Sequence, residues 1–506
     1  MMANEIELKL TIDQQYASRL NKHPVITNKS ASKPSSHKLT SIYFDSPDLK
    51  LMDTGVTLNV GHTSDGWIQI IQLSGSSCVG LHQRLEWHSP IASDHPDFTK
   101  IVEPILVRIF PNHKLRKSII PIFKIEIQRT SWQLDFNNGD QVEVVFDLGR
   151  LIANDRGEVI SEIHLKLKRG NVGRLFDLAL ELQDAIPLNV ENVTQPQRGY
   201  AYYSDNPPQV IKAQLPPLTR KMNANIAFKE IVRECINQLQ LNQNVVLHTS
   251  NIEGVHQMRI ALRRLRSAFI LFKLILGHKK CTFILSELKW LSDILGKARD
   301  IDVLLTQTIP SIPTQFKHDQ GLLTLQQLAL QRQIKIYDFI RQALLSQRYN
   351  CLLLTICSWL ENEKWKETKK HYKLVTVATR SLNKFHKQLL RHNDNLTDMS
   401  PEYRHAIRIA SKKLRYVAEF FTSIYPTKDC TKFIKILAQV QECLGQVNDI
   451  AVAERLLDEL KGNQPDAQPE KAIQLFKQWN TSSTTHNIAK INPIWKQLTT
   501  TKPFWL

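Results

Sequence analysis

The stretch HQMRIALRRLR, residues 256–266, is written a second time as HAIRIASKKLR, residues 405–415. Six of the eleven positions are identical, and Arg263 and Arg264 become Lys412 and Lys413 with their charge kept. With the same displacement of 149 residues and no gap, Leu295, Gly296 and Asp300 fall on Leu444, Gly445 and Asp449. Residues 256–303 and 405–452 therefore read as a duplicated unit.

On a helix, at about 100° per residue, His256, Arg259, Arg263 and Arg266 share an arc of roughly 80°, with Leu262, Leu265, Phe269 and Phe272 opposite. One basic helix face is ordinarily a solvated surface. Neither copy, however, has an acid between its His and its last Arg. Two such helices can set their cationic faces around one groove suited to a polyanion. The second copy offers His405, Arg408, Lys412, Lys413 and Arg415 in the matching positions. Asp300 and Asp449 are expected to orient arginines by ion pairing.

The charge is divided along the chain. Residues 1–205 hold 22 Lys and Arg against 24 acids, and residues 206–506 hold 44 against 24. The back half is thus the candidate for nucleic acid, an anionic surface or polyphosphate. Seven cysteines without a CxxC pair argue against a disulfide framework and a zinc site. No apolar run approaches the roughly 18 residues of a membrane span, the densest being Cys351 to Leu360. The N-terminus lacks the basic region of a signal peptide, so a cytoplasmic chain is expected.

In the front half, Glu5, Glu7 and Lys9 alternate with Ile6, Leu8 and Leu10. Residues 124–129, 141–147 and 162–168 show the same period of two. A sheet with one solvated face and a barrel with a charged lumen both fit this pattern. Pro207-Pro208 and Pro216-Pro217 mark a linker over residues 204–221. Beyond it apolar residues recur at three and four, as in Ile226, Phe228, Ile231 and Cys235, which predicts eight to ten helices in residues 222–506.

Several front-half motifs fall in the order of one family. Residues 5–9, EIELK, resemble the ExExK strand of the CYTH family, the triphosphate tunnel enzymes; YFDSP (43–47), RLEW (84–87), Arg129, EVVFDLG (143–149), the strand 162–170 and RGY (198–200) follow. The resemblance covers about residues 1–203. It implies a metal-dependent inorganic triphosphatase built as an antiparallel β-barrel. Catalytic positions would be Glu5, Glu7, Lys9 and Glu162, with Glu5, Glu7 and Glu162 holding Mg or Mn. Phosphate would be bound by Arg84, Arg129, Lys168 and Arg198.

The departures carry an expectation of their own. Asn59 and Gly61 stand where the family has phosphate-binding arginines, Gln72 and Gln195 where it has lysines, and His164 and Lys166 where it has acids. A buried charge-assisted contact is worth about 1.5 to 3 kcal/mol, so four lost cations predict much weaker triphosphate binding and weakened hydrolysis.

The duplicated HxxR helix followed by an LGxxxD helix resembles the CHAD family, over about residues 222–500. That resemblance implies two pseudo-symmetric helical bundles and polyphosphate binding by His256, Arg259, Arg263, Arg264, Arg266, His405, Arg408, Lys412, Lys413 and Arg415. The expected fold is therefore α+β, an N-terminal antiparallel barrel followed by an all-α domain. The expected function is polyphosphate binding, with association to polyphosphate granules and a weakened triphosphatase in front. Active conversion of tripolyphosphate to diphosphate and phosphate is the alternative. Nucleic-acid binding ranks third, because neither basic helix carries an aromatic for base stacking. No membrane partner is expected.

Overall fold

The computed structural model describes residues 2–63, 66–110, 113–154, 156–273, 276, 278–312, 319–362, 372–391, 400–462 and 467–506. The chain divides into two compact units, residues 1–209 with 344–364 and residues 210–343 with 365–506.

In the first unit the alternating segments form antiparallel strands β1 (Met2–Ile12), β2 (Ser35–Asp45), β3 (Val56–Thr63), β4 (Gly66–Cys78), β5 (Leu81–Ile91), β6 (Ile120–Asp135), β7 (Gln141–Ala153), β8 (Arg156–Arg169) and β9 (Leu188–Val190). Their order β5-β4-β3-β2-β6-β7-β8-β1 is closed by pairing of β1 with β5, and β9 joins the end of β1. Closure leaves the eight-stranded ring without an open edge. Of the two possibilities left by the alternation, the barrel is the one formed.

Short helices α1 (Ala17–Leu20), α2 (Pro24–Lys29), α3 (Lys50–Asp53), α4 (Pro104–Ile109) and α5 (His113–Ser118) join the strands. One core packs Phe44, Leu58, Val60, Ile71 and Trp87 against Leu51, Leu106 and Phe110. A second gathers Tyr43, Phe123, Ile125, Ile127, Leu151, Ile160 and Tyr200. Strand alternation puts Ile125, Ile127 and Leu151 on the face of Arg129 and Asp147, so this cluster plugs one end of the lumen.

Helix α6 (Gly173–Gln183) packs against β1 and β8. Helix α7 (Gln195–Ser204) starts in a capping box between Thr194 and Gln197, and carries Arg198, Gly199 and Tyr200. The ring of Phe123 stacks on Tyr43 at 4.5 Å and meets Tyr200 edge-on at 5.4 Å. A Cβ on Gly199 would come within 2.2 Å of the Phe123 ring, so glycine lets α7 seat Tyr200 in the plug.

Nine further helices are described: α8 (Ala224–His248), α9 (Glu253–Leu271), α10 (His278–Val303), α11 (Gln320–Leu344), α12 (Gln347–Glu361), α13 (Leu374–Leu390), α14 (Pro401–Phe420), α15 (Thr427–Lys461) and α16 (Ala467–Thr500). The dense apolar run 351–360 lies in α12, which belongs to the first unit and packs on α6 and β9. There buried Asn350 accepts from Val190 N at 2.8 Å and donates to Asn189 at 2.9 Å, while Ser358 and Asn362 both bond to Asp177.

The second unit shows the duplication as packing. Helix α9 lies between α8 and α10, α14 lies between α13 and α15, and α9 meets α14 while α10 meets α15. The second basic helix is set by its ends: Ser400 accepts from Tyr403 N, Pro401 occupies the first turn, and Glu402 faces the positive end of the helix dipole.

Candidate functional site

Two polar sites stand out among the described residues. The first is the barrel lumen, where the register aligns Glu5 with Arg84, Glu7 with Lys166, Lys9 with His164, Glu143 with Lys166 and Asp147 with Glu162. Directly opposed residues of an antiparallel pair share a face, so these side chains converge. Arg84 donates to Glu5 at 2.8 Å and to Glu86 at 2.7 Å, and its Nη1 lies 2.8 Å from Glu7 Oε1 without an aligned hydrogen bond. Arg129 forks onto Asp147 with two bonds of 2.7 Å. Lys166 reaches Glu5, Lys168 reaches Glu143, and Arg198 holds Glu162 and Glu158.

His164 sits at the centre of this network. Its Nδ1 lies 3.2 Å from Glu7, and its Nε2 lies 3.3 Å from both Asp147 and Glu162 without an aligned hydrogen bond to either. Burial pushes the ring towards neutrality and Lys9 does likewise, yet Asp147, Glu162 and Glu7 prevail and raise its pKa to about 9. Burial likewise raises Glu162, but His164, Lys9 and Arg198 bring it down to about 2. Glu7 is held well below the usual carboxylate range by Lys9 and Arg84 despite its burial.

The predicted lumen residues Glu5, Glu7, Lys9, Arg84, Arg129, Glu162 and Arg198 are thus brought together; Lys168 is half exposed and paired with Glu143. The acids Glu5, Glu7, Glu86, Glu143, Asp147, Glu158 and Glu162 face the permanent cations Lys9, Arg84, Arg129, Lys166, Lys168 and Arg198, with His164 in addition. Among the described residues, no three or more His, Cys, Asp or Glu side chains are placed to hold a metal ion. The carboxylates proposed as metal ligands are turned onto cationic side chains, so in this arrangement the donor set does not fit a divalent ion.

The second site is a cavity of about 1070 Å³ in the helical unit. Its wall includes His256, Arg263, Arg264, Arg408, Lys412 and Arg415 from the two repeat helices. Lys212, Arg299 and Lys435 add to these, against the acids Glu419, Glu442 and Asp449. Arg264 is buried, donates to Gln238 at 2.9 Å and Gln214 O at 2.8 Å, and lies over the Phe420 ring. Arg415 bonds Glu419 at 2.7 Å, and Arg408 lies 3.8 Å from Asp449.

Four predicted residues do not line this cavity. Arg259 points at Ser292 O, 3.4 Å away, past Gly296, where a Cβ would come within 2.8 Å of its Nη1. Arg266 and Lys413 also lie away from the wall, and His405 is exposed and bonded to Asn448 at 3.2 Å. Asp300 lies 3.9 Å from Arg455. Sequence reasoning passed over Lys212, Arg299 and Lys435. Arg299 had a signal, its place beside Asp300 in the repeat. Lys212 had none, since a proline-rich stretch reads as linker; buried Asn242 holds that segment by bonds to Ile211 N and O of 3.1 and 2.8 Å.

Uncompensated positive charge marks the cavity. Burial lowers His256 to about 4, with Arg299 the largest opposing charge, and burial with Arg263 and Arg408 lowers Lys412 to about 7. An anion bound here would restore the lysine charge. Binding is therefore expected to take up close to one proton at pH 8 and to weaken as pH rises from 7 to 9. Calorimetry in two buffers of different ionisation enthalpy reads this uptake, and Lys412→Arg should abolish it.

A closed barrel with a charged lumen, followed by a duplicated helical unit around a basic cavity, defines a two-domain class. The CYTH domain model matches residues 3–200 and the CHAD domain model residues 230–458, so the chain belongs to the CYTH–CHAD architecture. An inorganic triphosphatase of Haemophilus influenzae is 30% identical over 202 residues, covering 40% of this chain and 55% of that protein. An uncharacterized protein of Mycobacterium tuberculosis is 29% identical over 200 residues, covering 37% of each. This chain thus spans about half the length of the first curated relative and little over a third of the second. The solved CHAD domain of the plant Ricinus communis is 32% identical, with a TM-score of 0.52, covering 58% of this chain and 98% of that one. Among the described residues no helix is long and apolar enough to cross a membrane.

Proposed function

We propose that the helical domain binds inorganic polyphosphate in its basic cavity, and that the barrel is a triphosphatase-type domain of weakened activity. The observation that carries the first part is the cavity wall, where Arg263, Arg408 and Lys412 converge from both copies of the repeat. The eight Lys and Arg side chains of the wall outnumber its three acids, as the lowered Lys412 and His256 values reflect. Long polyphosphate meets such a wall with about one charge per unit, so affinity should fall steeply between 50 and 200 mM salt, by analogy with other polyanions at roughly tenfold or more. Filter binding at the two concentrations tests it. Single-stranded RNA at equal phosphate should fail to compete; effective competition would favour the nucleic-acid reading.

The second reading, an active inorganic triphosphatase, is favoured by the likeness to the Haemophilus influenzae enzyme. Against it stands the lumen, whose permanent cations are already paired with its acids. A tripolyphosphate would have to displace those pairs before it gained a contact. Phosphate release from tripolyphosphate with Mg or Mn is therefore expected to be weak. Any release surviving Glu5→Gln with Glu7→Gln arises outside this lumen, and robust release abolished by that pair would establish the second reading.

A further inference from the structure

We propose that side chains of the barrel itself fill the place of the divalent ion expected of its fold, with the His164 ring lying where the carboxylates converge, and that the lumen consequently binds neither a divalent metal nor a metal-bound triphosphate. The proposal deepens the reading of the barrel as a weakened triphosphatase domain and rests on it. It makes the lumen a core in which Lys166, Arg84, Arg129 and Arg198 pair with the acids and the His164 ring fills the space between them.

The argument is one of space and donors. A hard divalent ion needs several oxygens at about 2.0–2.6 Å, each with a lone pair free to face it. Here every carboxylate oxygen of Glu5, Glu7, Asp147 and Glu162 already has a side-chain nitrogen within 3.2 Å, Glu7 Oε1 by ion pairing with Arg84 without an aligned hydrogen bond. Lys166 and Arg84 take the two oxygens of Glu5, Arg84 and His164 those of Glu7, and Arg129 both of Asp147. Arg198 and Gln195 take those of Glu162. The His164 ring lies among three of these four carboxylates, within 3.3 Å of each.

The side chains responsible are those that depart from the family pattern. His164 and Lys166 stand at positions where that pattern has acids, and Gln195, at a position for lysine, donates to Glu162 at 2.8 Å. These replacements are mutually consistent. Glu7, Asp147 and Glu162 keep Arg84, Arg129 and Arg198 as partners, and the histidine occupies the space among the three where an ion would otherwise have to sit. Admitting a metal would then require buried cations to leave their carboxylates, which is strongly unfavourable when no new anion receives them.

Titration of the full chain with Mn²⁺, followed by the electron paramagnetic resonance signal of the free ion, tests the proposal. The wild type is expected to bind no better than Glu7→Gln, and Mn²⁺ is expected to leave its melting temperature unchanged. His164→Glu with Lys166→Glu should bind Mn²⁺ at least tenfold more tightly than the wild type. Wild-type binding weakened tenfold by Glu7→Gln or Glu162→Gln, or a melting temperature raised by Mn²⁺, would overturn the proposal. The wild-type measurements decide it even where the double variant does not fold. Mn²⁺ binding without phosphate release sinks this proposal alone, whereas robust metal-dependent release from tripolyphosphate sinks the weakened-activity reading as well.

Discussion

Arg263→Glu combined with Lys412→Glu is expected to lower polyphosphate affinity by a factor of 100 or more at low salt. Both side chains line the cavity, one from each copy of the repeat. Losing a contact to a charged group costs about 1.5 to 3 kcal/mol, so two losses reach about 3 kcal/mol, or some 150-fold, before repulsion from the new carboxylates is added. Fewer cations neutralising phosphate should also make the salt dependence shallower, by roughly 1 to 2 in the slope of log affinity against log salt. Lys289→Glu with Lys335→Glu changes the net charge equally, at exposed positions that do not line the cavity. That control should bind within a few-fold of wild type. Equal losses in the two double variants would mean that polyphosphate responds to overall charge and not to the cavity.

Arg259 is a poorer choice for such a test, although its place in the repeated motif makes it prominent. The helical period put it on one arc with Arg263, and the structure agrees that the arc is polar. What the period could not convey is depth. Arg259 is directed past Gly296 to a backbone carbonyl, and burial together with Arg263 holds its pKa below the ordinary guanidinium value. Reversing it would unsettle the packing of α9 on α10 along with any binding.

The fold itself was largely legible. Strict alternation at Glu5 to Leu10 and at residues 162–168 marked strands with one charged face, and the repeat marked a doubled helical domain. The motifs, more than the periodicity, distinguished a closed barrel from an open sheet. Harder to see was the use of α12, whose apolar run 351–360 reads like any core helix of the second half yet packs in the first unit, on α6 and β9. Its buried Asn350, bonded to Val190 and Asn189, is specific to that contact and has no local sequence signature. The lumen was legible in composition but not in pairing. Sequence position shows that His164 and Lys166 replace acids. The register and side-chain geometry were required to show that they occupy the remaining acids.

That pairing makes Asp147 the position where a single change should harm the barrel most. Its carboxylate is fully buried, receives the Arg129 fork and lies 3.3 Å from His164. Burial alone would raise its pKa, but Arg129 and His164 hold it far below the usual carboxylate range. Asp147→Ala leaves two cationic side chains in the core with one anion fewer, a change that costs about 3–5 kcal/mol. For a unit of this size that corresponds to a fall of roughly 6–20 °C in the barrel's melting temperature, measurable by calorimetry on the full chain. Because the folded-state pKa is depressed, the aspartate's contribution is fully present above its unfolded value of about 3.9 and is lost as pH falls below it. The gap between wild type and variant should accordingly narrow on acidification below about pH 4. Asp147→Leu with Arg129→Met removes both partners of the fork and should recover part of the loss, since replacing a buried ion pair by apolar groups is often neutral. A single variant that melts within 2 °C of wild type at pH 7 would mean that the fork is dispensable and that the apolar plug of Tyr43, Phe123 and Tyr200 holds the barrel without it.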